Sequence, residues 1–236
     1  MENVALPIVP QVSDDLLERY ALQMLKLQEH EEESPLQHIL NEIEETAEKE
    51  SIPIIGALEG RILSTLISMI CPAVREALDI GTAVGYSALW LAKVIGPGGH
   101  ITTIEIDPVR AERAREYVRR AGVQERVEII TGDFFDVIPQ QKKKYDVIFQ
   151  DVMKHVYFAQ DPTLALKLLD ISVAHLEIGG VLLTDNAFCQ GKVLHSSEYN
   201  QVKGIQAYNE AIATHKQLDS ILFPLRDGLW FSRSRA

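Results

Sequence analysis

ALDIGTAVGYSALWLAKVI, residues 77–95, decides the fold. Ala77–Ile80 is a short apolar strand, Gly81 and Gly85 bracket a tight loop, and from Tyr86 to Ile95 apolar residues recur at helical spacing. Strand, loop and helix in that order open a βαβ unit. Its next strand lies parallel to the first, because the helix carries the chain back to the starting edge.

Outward from that unit the alternation continues. Strands are predicted at Ala77–Ile80, Ile101–Glu105, Val127–Thr131, Asp146–Gln150 and Val181–Thr184, with helical patterns between them at Tyr86–Ile95, Pro108–Ala121, Phe135–Pro139 and Leu164–Leu176. Two further strands, Ser220–Pro224 and Leu229–Ser232, are joined only by Leu225-Arg226-Asp227-Gly228, a hairpin-length link, so they run antiparallel. The expected architecture is α/β: a doubly wound, seven-stranded, mostly parallel sheet with an antiparallel last strand. Toward the N-terminus, residues 13–50 carry two helical patterns separated by Glu31-Glu32-Glu33. The Ala57–Ile70 segment places Leu58, Ile62, Leu63, Leu66 and Ile70 on one stripe suited to packing against a sheet. Residues 1–53 are therefore expected to form a helical appendage, serving as a lid or a dimer contact, on a domain spanning 54–236.

Composition narrows the function classes. The chain has 236 residues, 46% of them apolar, which suits one larger α/β domain with a sizeable core. Lys and Arg number 23 against 34 Asp and Glu, a net charge of −11, so a polyanionic partner meets repulsion and nucleic acid is not the expected ligand. Lys142-Lys143-Lys144 reads as a solvated loop. Arg110, Arg113, Arg115, Arg119 and Arg120 fall on several faces of one helix and read as solvated surface. Cys71 and Cys189 are too few for a disulfide framework, and the opening residues lack the basic and apolar regions of a signal peptide. Apolar runs such as Ile62–Ile70 fall well short of the roughly 20 residues of a membrane span. A cytoplasmic protein is expected.

Candidate site residues collect at the carboxyl ends of the predicted strands, where open α/β sheets bind ligands. Asp79 closes the first strand, and Gly81 through Thr82 to Gly85 lets the backbone approach a ligand, while the helix start at Tyr86-Ser87 offers donors to a carboxylate. Glu105 ends the second strand, placed to accept both hydroxyls of a ribose. Asp133 ends the third, placed to accept from an adenine amino group. A dinucleotide-dependent dehydrogenase shares the ribose acid. Its phosphate fingerprint, however, needs small residues where this chain has Ala83 and the bulky Tyr86. Each acid also has a structural reading: Asp79 as a loop cap, Asp133 as the cap of the turn that follows. The fourth strand runs into Asp151, with Lys154 three residues on, and the fifth into Asp185-Asn186. Adjacent strands lie about 4.8 Å apart, so Asp151, Asp185 and Asn186 converge as an oxygen donor set for a hard cation such as Mg²⁺ or Ca²⁺. His155 and Cys189 have no context for chemistry.

Taken together, DIGTAVGYSALWLA, TIEIDP, FQDVMKHVY, LLTDNAFCQGKV and PLRDGLWF, in this order and spacing, resemble the metal-dependent catechol and caffeoyl-coenzyme A O-methyltransferase family. These are class I methyltransferases with a Rossmann-like sheet, and the resemblance covers roughly residues 54–234. It implies S-adenosylmethionine bound by Asp79, Gly81, Thr82, Gly85, Tyr86, Ser87, Glu105, Asp133 and Asp151, and a divalent metal on Asp151, Asp185 and Asn186. It implies Lys154 as general base, a catechol-like hydroxyl acceptor and a homodimer. Some relatives methylate a hydroxylated tRNA nucleoside. Two positions depart from many caffeoyl-type members: Met153 stands where they carry a second Asp, and Ala187-Phe188-Cys189-Gln190 replaces an aromatic-rich segment.

Overall fold

The computed structural model describes residues 14–26, 34–71, 73–96, 98–152, 156–157, 161–195 and 202–235. Contacts divide the chain into two units, residues 1–32 and 33–236. The described part of the first is the helix α1 (Asp14–Lys26). The second carries the sheet. In chain order it contains α2 (Pro35–Glu50), α3 (Gly56–Ile70), β1 (Glu76–Ile80), α4 (Tyr86–Val94), β2 (His100–Glu105), α5 (Pro108–Arg120) and β3 (Val127–Thr131). There follow α6 (Phe134–Val137), β4 (Tyr145–Gln150), α7 (Pro162–His175), β5 (Leu176–Thr184), α8 (Lys203–Ala213), β6 (Leu218–Phe223) and β7 (Leu229–Ser234).

The strand order is β3-β2-β1-β4-β5-β7-β6, and β7 runs antiparallel to both its neighbours. The doubly wound plan with an antiparallel last strand is therefore the observed one. Side chains alternate between two cores, as a sheet covered on both faces requires. Val147, Phe149, Val181 and Leu183 pack toward α2, α3, α4 and α5, whereas Ile148 and Leu182 pack toward α7 and α8.

Local chemistry explains the helix starts. Ser34 accepts from the Gln37 N–H at 3.2 Å ahead of Pro35, and Asp107 accepts from the Val109 and Arg110 N–H groups ahead of Pro108. The α8 helix has no side-chain cap at Val202, and its buried Ile205, Tyr208 and Ile212 hold it through packing instead. That helix has no counterpart in the sequence-predicted elements.

Two packing features bear on the site. The α2 helix sinks Ile39, Leu40 and Ile43 into the core shared with α4. The buried line of α3 is Glu59, Gly60, Leu63 and Ile67, one step around from the predicted stripe, with Ile62, Leu66 and Ile70 only partly buried. Gly60 decides this: a Cβ there would lie 2.3 Å from the Trp90 indole nitrogen, so only glycine lets α3 press this close to α4. Among the described residues no helix is long and apolar enough to cross a membrane.

Candidate active site

The β1–α4 loop is built around buried acids. Asp79 is fully buried, and one of its oxygens accepts from Ser87 Oγ at 3.0 Å and Thr103 Oγ1 at 2.6 Å. Burial pushes its carboxyl up to about 6 against those two hydroxyls. The other oxygen is buried without a partner among the described residues. Gly81 turns the chain at φ 104, and a Cβ there would stand 2.2 Å from the Asp151 carbonyl oxygen. The loop thus touches the end of β4. Glu105 accepts from the Ala83 N–H at 2.7 Å and the Asp107 N–H at 2.9 Å, so one carboxylate holds both strand-end loops in place. Each of its oxygens keeps further accepting capacity.

The remaining loop residues divide. Gly85 supplies φ 91 where α4 begins, close against Ala114. The Thr82 hydroxyl meets that of Thr103. Tyr86 points into the helical core: its hydroxyl donates to Glu44 of α2 at 2.5 Å and its ring meets Trp90 edge-on. Neither side chain presents a free group to the loop in this arrangement. Asp133 caps α6, accepting from the Phe135 N–H at 2.8 Å, which is its structural reading.

The convergence expected of β4 and β5 is present. The register pairs Gln150 with Thr184, so Asp151 and Asp185 emerge side by side. Asn186 adopts φ 65, a left-handed conformation asparagine tolerates, and its amide folds back between them. Its Nδ2 donates to Asp151 at 2.8 Å and to Asp185 at 3.0 Å. Behind them, on the α7–α8 face, Gln150, Ser172, Thr184 and Tyr208 form a buried network. Tyr208 Oη donates to Gln150 Oε1 at 2.8 Å and lies 2.8 Å from Thr184 Oγ1. Asp151 and Asp185 are thus each preceded by a side chain locked from below.

Burial, then the Glu59 and Asp79 carboxyls, push Asp151 up to about 7, and burial with Asp151 does the same to Asp185. Glu59 belongs to this corner although sequence spacing did not single it out. It is 4% exposed, its Oε2 pairs with the Arg226 guanidinium at 3.2 Å, and burial followed by the Asp185 charge holds its carboxyl well above the usual range. Glu59 is the sole acid of α3, but that helix also carries Arg61, Ser64, Thr65 and Ser68, so the sequence alone does not mark it. Lys154, with Met153 and His155, lies outside the described residues, whereas Tyr157 is buried against Tyr208. Cys189 is a buried free thiol, pushed up by burial, with no part in this arrangement.

The donor set fits a hard divalent cation. Two carboxylates and an amide meet at one point, and amide nitrogen and oxygen exchange by a half-turn of the side chain. Among the described residues no group of three His, Cys, Asp or Glu side chains is placed to hold a metal ion by itself.

Four of the five arginines of α5 bond neighbours. Arg113 bonds Glu50 at 2.6 Å, Arg120 bonds Glu42 at 2.8 Å, Arg119 bonds Glu116, and Arg115 bonds Glu112 and Thr131.

Residues 28–235 match the model of the O-methyltransferase family. A catechol O-methyltransferase of Sus scrofa is 37% identical over 148 residues, covering 61% of this chain and 75% of that protein. One from Mycobacterium tuberculosis is 30% identical over 167 residues, covering 70% and 71%. The structure of an O-methyltransferase from Bacillus cereus in complex with S-adenosylhomocysteine superposes with a TM-score of 0.75 at 25% identity, over 93% of this chain and 97% of that one. With the family profile spanning nearly the whole chain, the protein belongs to the O-methyltransferase family, in the class I S-adenosylmethionine-dependent group that includes the catechol O-methyltransferases.

Proposed function

We propose that the chain transfers the methyl group of S-adenosylmethionine to a hydroxyl of a small catechol-like molecule held on a divalent cation, Mg²⁺ or Ca²⁺. The observation that carries this reading is the Asp151–Asn186–Asp185 corner, in which two buried carboxyls are both driven up to about 7 and bridged by an amide. Buried carboxyls held this close call for a proton or a cation.

A cation bound there supplies Lewis acidity, lowering the pKa of a coordinated hydroxyl. The chain does the rest by positioning. Glu105 and the Asp79–Gly85 loop hold the cofactor, with the free Asp79 oxygen as an additional acceptor. Because Gly81 abuts Asp151, cofactor loop and cation corner share one wall, so the methyl donor and the oxygen nucleophile meet without either site moving. The sulfonium leaves as a neutral thioether, so no acid is required at the leaving group. Lys154, three residues past Asp151, is assigned the hydroxyl proton.

The neutralised arginines of α5 favour a small molecule over a tRNA nucleoside. A cytoplasmic location, a homodimer and a lid or dimer role for residues 1–53 are part of the same proposal, supported by composition and family likeness. S-adenosylhomocysteine is expected to raise the melting temperature of the protein in differential scanning fluorimetry, while NAD leaves it unchanged. Stabilisation by NAD alone would turn the assignment to a dehydrogenase.

A further inference from the structure

Glu59 brings to the corner a carboxyl oxygen that accepts no hydrogen bond among the described residues. The carboxyl sits in the first turn of α3, 4% exposed, and Arg226 holds its Oε2 at 3.2 Å. Its Oε1 accepts from no N–H or O–H donor among the described residues, and the Glu59 carboxyl lies within proton-sharing reach of the Asp185 carboxyl. Gly60, next in sequence, pins α3 against Trp90, so the carboxyl cannot relax away by moving the helix. Arg226 reaches it from the turn before β7 at φ 47, a left-handed conformation that is strained for an arginine. A buried acceptor left open on one side and fixed on the other is built for a donor that arrives with a ligand. The described side chains provide no three-acid cage, so Glu59 does not join Asp151 and Asp185 as a direct third acid ligand in this geometry.

We infer that Glu59 is a further positioning residue of the site: its free oxygen accepts the hydrogen of an O–H group carried on the bound cation, while Arg226 fixes the carboxylate's orientation. The donor is either a water of the cation or the second hydroxyl of the acceptor. This rests on the proposed function. A catechol-like molecule offers two adjacent hydroxyls, and a carboxylate beside the cation selects acceptors that keep the second one.

The test uses the full chain with Mn²⁺, followed by electron paramagnetic resonance, and 4-nitrocatechol, followed by absorbance with S-adenosylhomocysteine present. Asp185→Asn is the control for the corner itself, and Arg226→Gln removes the ion pair while leaving Oε1 in place. Losing one charge-assisted hydrogen bond corresponds to about tenfold or more in affinity. Glu59→Gln is expected to fold and to bind S-adenosylhomocysteine as wild type does. A tenfold loss in Mn²⁺ affinity identifies the cation's water as the donor; unchanged Mn²⁺ binding with a tenfold loss for 4-nitrocatechol identifies the acceptor hydroxyl. Wild-type affinity for both probes overturns the inference while leaving the proposed function intact. Equal losses in Glu59→Gln and Arg226→Gln also overturn it, since the ion pair alone then accounts for the effect. If wild type and Asp185→Asn bind Mn²⁺ equally, the corner holds no cation and the inference falls with the proposed function.

Discussion

Asp185→Asn is expected to lose at least about 10² in kcat/KM, because several kcal/mol of Lewis-acid stabilisation depart with the cation. The same substitution is expected to stabilise the metal-free protein at pH 8. The sign follows from linkage. The folded carboxyl titrates at about 7 and the unfolded one near 3.8, so the native state binds more protons and stability falls as pH rises through that window. An amide at this position carries no such penalty. Thermal melts of metal-free wild type should therefore drop between pH 5 and pH 8, and the drop should shrink in Asp185→Asn and on adding Mg²⁺. Melts independent of pH in all these conditions would mean that the two acids are not held together in solution.

Lys154→Ala is expected to cost on the order of 10²–10⁴ in rate, the range for removing a general base, with S-adenosylhomocysteine and Mn²⁺ binding retained. Lys154→Arg should fail to restore turnover, since a guanidinium stays protonated. Raising the pH should partly rescue Lys154→Ala, because more of a phenolic acceptor then arrives ionised. The measurement is kcat/KM against pH for wild type and both variants on one accepted catechol. Wild-type turnover by Lys154→Ala near neutral pH would show that the cation alone ionises the acceptor.

What could be read in advance followed how local each signal is. The strands are short apolar runs bounded by turn residues, and the hairpin link before β7 forces its direction, so the sheet was legible end to end. The meeting of Asp151, Asp185 and Asn186 was legible too, because adjacent parallel strands must bring their ends together. Glu59 was not, since its place depends on α3 rotating until Gly60 faces Trp90, a fit between two helices that periodicity alone misses by one position. Tyr86 and Thr82 were assigned to the cofactor by their place in the loop; whether a side chain there turns toward ligand or core is set by Glu44 and Thr103, distant in sequence. The α8 helix starts without a capping residue, so its first turn gives no local sign.

The proposed chemistry requires a cation at the Asp151–Asp185–Asn186 corner. The direct measurement is methyl transfer from labelled S-adenosylmethionine to a catechol by protein stripped of metal, with removal checked by elemental analysis. Turnover is expected to vanish in the stripped protein and to return with Mg²⁺ in a saturable manner. Full turnover in excess chelator by protein verified to be metal-free would contradict the central claim.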